Sequence, residues 1–147
     1  MKKILSVALV ATMLLCAVFA CVSCSQNDTE GKVTIVIATE DEQVYDIPLS
    51  ELSEGKGLAA VFEYLKTEKG VEYEVKNGMI EHIGALKNDY VLQRYIYIYT
   101  SLEKDFDVSE YKTEIEYDGK TLVSSGVGYE DMTLADGAII YIGLISW

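Results

Sequence analysis

Gly57-Leu58-Ala59-Ala60-Val61-Phe62-Glu63-Tyr64-Leu65-Lys66 is the stretch whose reading decides the fold. Leu58, Val61, Phe62 and Leu65 fall at i, i+3, i+4 and i+7, which places four apolar side chains on one stripe of a helix. Ser53 and the Gly55/Gly57 pair mark its entry. Lys66 and Lys69 sit where they complement the negative end of the helix dipole, and Gly70 can take the left-handed conformation that closes a helix. The segments on either side have the two-residue period of strands. A lone amphipathic helix among strands buries its stripe only by lying across one face of a sheet.

Working outward, Val33-Thr34-Ile35-Val36-Ile37 is β-branched throughout and reads as a buried strand. The polar turn Thr39 to Gln43 leads into a return strand, Val44 to Leu49, with Pro48 at its edge or end. After the helix, Val71 to Val75 alternates and meets Asn77-Gly78, a strong two-residue hairpin signal, with Met79 to Ile83 as partner. Tyr90 to Tyr99 reads as one long strand with Tyr95, Tyr97 and Tyr99 on one face and Ile96 and Ile98 on the other. Leu102 to Ser109 is polar and acidic. Thr113 to Tyr117, the turn Asp118-Gly119 and Lys120 to Val123 suggest an inserted hairpin. Ala138 to Ile145 is apolar on both faces and is expected in the middle of the sheet. The expected class is α+β, a β-grasp-like mixed sheet with one packed helix and an inserted hairpin.

The N-terminal segment carries a different message. Met1-Lys2-Lys3 is basic, Ile4 to Val22 lacks charge, and Val18-Phe19-Ala20-Cys21 sets an aliphatic residue three before a cysteine and a small residue directly before it. This is the layout of a secretion signal, and the last four residues resemble a bacterial lipobox. Cys21 is then the lipidated residue and Cys24, with Cys21 three before it, the poorer fit. The alternative is an uncleaved helix, since about 19 apolar residues approach the length that spans a bilayer. The expected organisation is a lipoprotein signal peptide over 1–21, a flexible tether over 22–32 and one domain over 33–147. The protein is expected at the cell membrane, lipid-anchored on the extracytoplasmic face.

Composition narrows the function. All 3 cysteines lie in the N-terminal segment, so the domain can have neither a disulfide framework nor a thiolate metal site. The net charge of −12 repels phosphate backbones, so nucleic acid is not an expected partner. With 11 Tyr against 3 Phe and 1 Trp, half-exposed rings are expected on strands or at a ligand surface.

Three further segments carry the resemblance to a family. Gly78-Met79-Ile80-Glu81-His82-Ile83-Gly84 is similar to a Gly-x-Ile-x-x-Ile-type strand end. Tyr95-Ile96-Tyr97-Ile98-Tyr99-Thr100-Ser101 is similar to a Trp-x-x-Tyr-x-Asn-Gly strand, with Tyr95 for Trp and Thr100-Ser101 for Asn-Gly. Gly126-Val127-Gly128-Tyr129 and Leu134-Ala135-Asp136-Gly137-Ala138-Ile139-Ile140 resemble a Gly-Val…Leu-x-Asp-Gly-Asp-x-Ile segment. Together they resemble the transcobalamin-like C-terminal domain, a β-grasp domain of bacterial surface proteins. The resemblance implies a non-catalytic binding domain. In the vertebrate members this domain helps enclose cobalamin. Here the Trp is replaced and the sequence carries no second domain to complete such a site, so no cofactor is expected.

The remaining constellations are weak. His82, the only histidine, cannot form a His-rich metal site and is expected on the outward face of its strand. Asp105, Asp107, Ser109, Tyr111 and Glu116 have a calcium-loop-like spacing, but Glu110 stands where that loop needs glycine. No metal site is expected. Ser124, Ser125 and Thr121 have no base nearby in sequence, and no nucleophile elbow, phosphate loop or dinucleotide fingerprint occurs. The domain is expected to be no enzyme. The face of Tyr95, Tyr97 and Tyr99 is the expected binding surface, for a small ligand or, alternatively, for another surface protein or an envelope polymer; the competing role for these rings is packing under the inserted hairpin.

Overall fold

The computed structural model describes residues 30–146. The signal segment, Cys21, Cys24 and most of the tether lie outside the described residues. Among the described residues no helix is long and apolar enough to cross a membrane.

Among the described residues nine strands and one α-helix are formed: β1 (Lys32–Ile37), β2 (Gln43–Pro48), α1 (Leu58–Lys69), β3 (Tyr73–Lys76), β4 (Met79–Ile83), β5 (Leu86–Lys87), β6 (Arg94–Thr100), β7 (Glu114–Tyr117), β8 (Lys120–Ser124) and β9 (Ile139–Ser146). Six strands form a mixed sheet in the order β2-β1-β9-β6-β8-β7. β1 and β9 pair in parallel, while the other neighbours are antiparallel. The last strand therefore sits inside the sheet, as its two apolar faces require. The fold is α+β with the β-grasp order of hairpin, helix and central final strand.

α1 ends as expected: Gly70 takes φ +68° and its N–H closes on the carbonyls of Leu65 and Lys66. Its stripe is fully buried, with Leu58, Val61, Phe62 and Leu65 packed against Val33, Ile35 and Ile37 of β1, Ile47 of β2 and Ile140 and Ile142 of β9. Gly57, before the helix, has φ +49°, and a side chain there would sit 2.4 Å from the Glu130 carbonyl oxygen. This close approach brings the helix entry against the short 3₁₀ turn Tyr129–Asp131.

The opposite face carries a second, smaller apolar layer of Val36, Tyr99, Leu122 and Ile139, edged by Tyr97, Ile115, Tyr117 and Tyr141. The hairpin β7–β8 supplies Leu122 and Ile115, so the inserted segment extends the sheet and also covers part of its second face.

β3, β4 and β5 form a three-stranded antiparallel sheet separate from the main one. One expectation changes: the long strand starts at Arg94 and not at Tyr90. Asp89 Oδ1 accepts the N–H groups of Val91 at 3.0 Å and Leu92 at 2.9 Å, and Gln93 takes φ +53°. A carboxylate that satisfies two successive backbone donors holds a turn in place of a strand.

Candidate functional site

β6 determines the site because one of its edges is only partly covered. It pairs with β9 along its whole length, Arg94 to Thr100, but with β8 only through Tyr99 and Thr100. At one end the Ser125 N–H still reaches the Ile98 carbonyl at 2.8 Å. The chain then turns away at Gly126, whose missing side chain lets it pass the Phe106 carbonyl; a Cβ would lie 2.8 Å from that oxygen. At the other end Asn88 bridges the two sheets. Its Oδ1 accepts the Ile96 N–H at 2.7 Å and its Nδ2 donates to the Ile80 carbonyl at 3.0 Å.

Backbone groups of one strand residue point to the same side. Ile96 and Ile98 are held on their outer side by Asn88 and Ser125, so the Ile96 carbonyl and the Ile98 N–H point outward between these two clamps, where no strand pairs with them. A cleft of about 410 Å³ opens at this gap. Its walls include Met79 and Ile80 from β4, Tyr90, Tyr95 and Tyr97, and Val127 and Tyr129 from the loop after β8. No Lys, Arg, His, Asp or Glu side chain lines it. This volume lies within the range of small-molecule sites, which are mostly apolar with a few oriented polar groups.

The tyrosines differ in their surroundings. Tyr90 and Tyr95 meet edge to face, with ring centroids 5.9 Å apart and planes at 73°. The Tyr90 hydroxyl donates to the Glu81 carboxylate, 2.8 Å and 2.6 Å from its two oxygens, and that bond holds the phenol above its ordinary pKa. Burial, followed by the negative field of Asp107, pushes the Tyr97 phenol up. Tyr129 stacks on Phe62 at 5.9 Å, and its hydroxyl donates to Glu130 at 3.0 Å. Burial and then the Glu130 bond raise its pKa as well.

Sequence reasoning placed Tyr95, Tyr97 and Tyr99 on one surface. The structure brings Tyr95 and Tyr97 to the cleft and places Tyr99, 6% exposed, in the second apolar layer, where its hydroxyl accepts from Thr113 Oγ1 at 3.3 Å. The strand reading missed Asn88, Tyr90 and Tyr129. Asn88-Asp89, two turn-favouring residues in a row, was the signal that could have interrupted the supposed long strand at Tyr90. Tyr129 had no local signal, because its role depends on Phe62, which is distant in sequence.

The other candidates are engaged in structure. Asp105, 4% exposed, accepts from the Thr133 N–H at 2.7 Å and from Thr133 Oγ1 at 3.0 Å. Asp107 accepts the Ser109 N–H at 2.8 Å, and Glu116 accepts from Thr121 Oγ1 at 2.6 Å. Ser124 Oγ accepts the Thr113 N–H at 3.0 Å, and Ser125 Oγ donates to the Val127 carbonyl at 2.9 Å. His82 is half-buried and not on an open outward face, and its Nδ1 is enclosed without a hydrogen-bond partner. Among the described residues no group of three or more His, Cys, Asp or Glu is placed to hold a metal ion. A second cavity, about 590 Å³, lies at the entry to α1 and is lined by Leu52, Glu54, Gly57, Glu130, Asp131 and Met132 among others.

No family model matches the sequence, and no curated protein matches it. Among solved structures, the fold is similar to a crystal structure described as a "putative metal binding protein" from Ruminococcus gnavus, with a TM-score of 0.50 and 16% sequence identity, over 80% of this chain and 99% of that one. At that identity the likeness is one of fold.

Proposed function

We propose that this protein is a lipid-anchored, extracytoplasmic binding domain of the transcobalamin-like kind, non-catalytic, which takes a small ligand in the cleft beside β6. The observation that carries this reading is the gap in the edge of β6. A backbone acceptor and a backbone donor face a cleft walled by tyrosine rings, so the site offers flat apolar surface together with two fixed polar groups. The chemically active residue types near it are engaged in holding turns and loops, which supports binding over catalysis. The β-grasp order with its central last strand supports the family reading.

Binding at the cleft is tested by titrating the protein with indole as a flat probe and following amide shifts by heteronuclear NMR. Shifts are expected to cluster at Ile96, Ile98, Val127 and Gly128. Shifts scattered over the surface, or none, would remove the cleft as a binding site.

Anchoring is tested by intact mass. The mature chain in the membrane fraction is expected to begin at Cys21 and to carry acyl mass. A mature chain that begins at Cys24, or that is found free of the membrane without acyl mass, would refute Cys21 as the anchor.

A second reading is docking of another surface protein. The exposed tip beside the cleft favours it, since Val91 is 90% and Leu92 57% exposed. Val91→Glu would weaken such docking and leave the indole shifts unchanged.

A further inference from the structure

The lining carries no charged side chain of either sign, and the charged groups hydrogen-bonded to the hydroxyls of Tyr90 and Tyr129 are carboxylates. Carboxylates stand behind its rings: Glu81 accepts the Tyr90 hydroxyl and Glu130 accepts the Tyr129 hydroxyl. A phenol that donates to a carboxylate has a more electron-rich ring, which deepens the negative potential over its face. Burial is the first cause that raises the Tyr97 phenol, and the negative charge of Asp107 is the second, so that carboxylate adds to the field near this ring. Tyr90 and Tyr95, set edge to face, form two walls of a corner. The whole chain, at −12, draws cations toward its surface. An anion entering this cleft would meet negative ring faces and no counter-charge. A neutral planar ligand would leave the field unused.

From this geometry we infer that the cleft selects an organic cation of the substituted-ammonium class, its alkylated nitrogen held against the rings of Tyr90, Tyr95 and Tyr97. Attraction between a ring face and a cation does not require a formal ion pair, and it grows where water is excluded. Met79 and Val127 supply apolar contact for the alkyl groups around the nitrogen. The inference rests on the proposal that this cleft is a binding site and adds the charge class of what it takes.

The test uses the purified full chain in a non-ionic detergent, with choline as the probe. Its control is the neutral alcohol in which a tert-butyl group replaces the trimethylammonium group. The two have the same shape and differ in charge. Calorimetric titration is expected to show saturable binding of choline and binding of the neutral alcohol about tenfold weaker or less. Tyr95→Leu keeps an apolar side chain and removes the ring, and is expected to weaken choline about tenfold and the neutral alcohol by less, so that the preference for the cation falls. Tyr90→Phe keeps the ring but loses the bond to Glu81, and is expected to show a smaller loss. Equal binding of choline and its isostere, or choline binding unaffected by Tyr95→Leu, overturns the inference. Absence of choline binding while indole still shifts the β6 amides overturns the cation and leaves the cleft standing. Absence of both overturns the cleft reading together with it.

Discussion

Phe62→Ala is expected to destabilise the domain by about 3–5 kcal/mol, the range for removing a buried aromatic ring. Phe62 is fully buried in the middle of the α1 stripe. Its ring lies 5.2 Å from that of Tyr73 and 5.9 Å from that of Tyr129. Removing it leaves a void that rigid strands on the far side cannot close, because β1 and β9 are fixed in register by their ladder. The midpoint of denaturant unfolding should fall with little change in slope, and the melting temperature should drop by roughly 10–20 °C for a domain of this size. Because Tyr129 stacks on Phe62, the same substitution should also disturb the cleft amides at Val127 and Gly128. A loss below about 1 kcal/mol would mean that the stripe does not hold the helix to the sheet.

The second large effect concerns the other face. Tyr99→Ala is expected to cost about 3 kcal/mol or more, because the ring is 6% exposed and packs with Leu122, Ile139 and Tyr141, whose ring is 6.2 Å away. Tyr97→Ala, two residues earlier on the same face, is expected to cost only about 1–2 kcal/mol, since a half-buried ring forfeits less contact. Tyr99→Phe should be nearly neutral, because the hydroxyl's contact with Thr113 Oγ1 is a long one at 3.3 Å. Thermal melts of the three variants separate these outcomes. If Tyr97→Ala proved as damaging as Tyr99→Ala, Tyr97 would belong to the packed layer and not to the binding surface.

The contrast between these two tyrosines shows where local pattern stops being informative. The alternation of Tyr and Ile along β6 assigns faces correctly, because a pleated strand sends successive side chains to opposite sides whatever surrounds it. Ile96 and Ile98 do pack toward the helix-side core. Which tyrosine is covered depends on where β8 stops pairing, and that happens beyond Ser124, opposite Tyr99, because Gly126 lets the chain pass Phe106 and leave the sheet. No periodicity in β6 records this event.

The sequence by itself determined the elements whose cause is local. The α1 stripe, the Gly70 cap, the Asn77-Gly78 hairpin and the central place of the doubly apolar β9 all follow from side-chain period, turn chemistry and burial of apolar area. Only the tertiary structure decided what depends on partners far apart in the chain. β3, β4 and β5 form their own sheet, Asn88 ties that sheet to β6, and Tyr129 reaches the cleft by stacking on Phe62. Each of these requires a hydrogen bond or ring contact between segments whose separation along the chain carries no pattern. The cleft exists because two sheets meet along one strand and neither covers its edge completely.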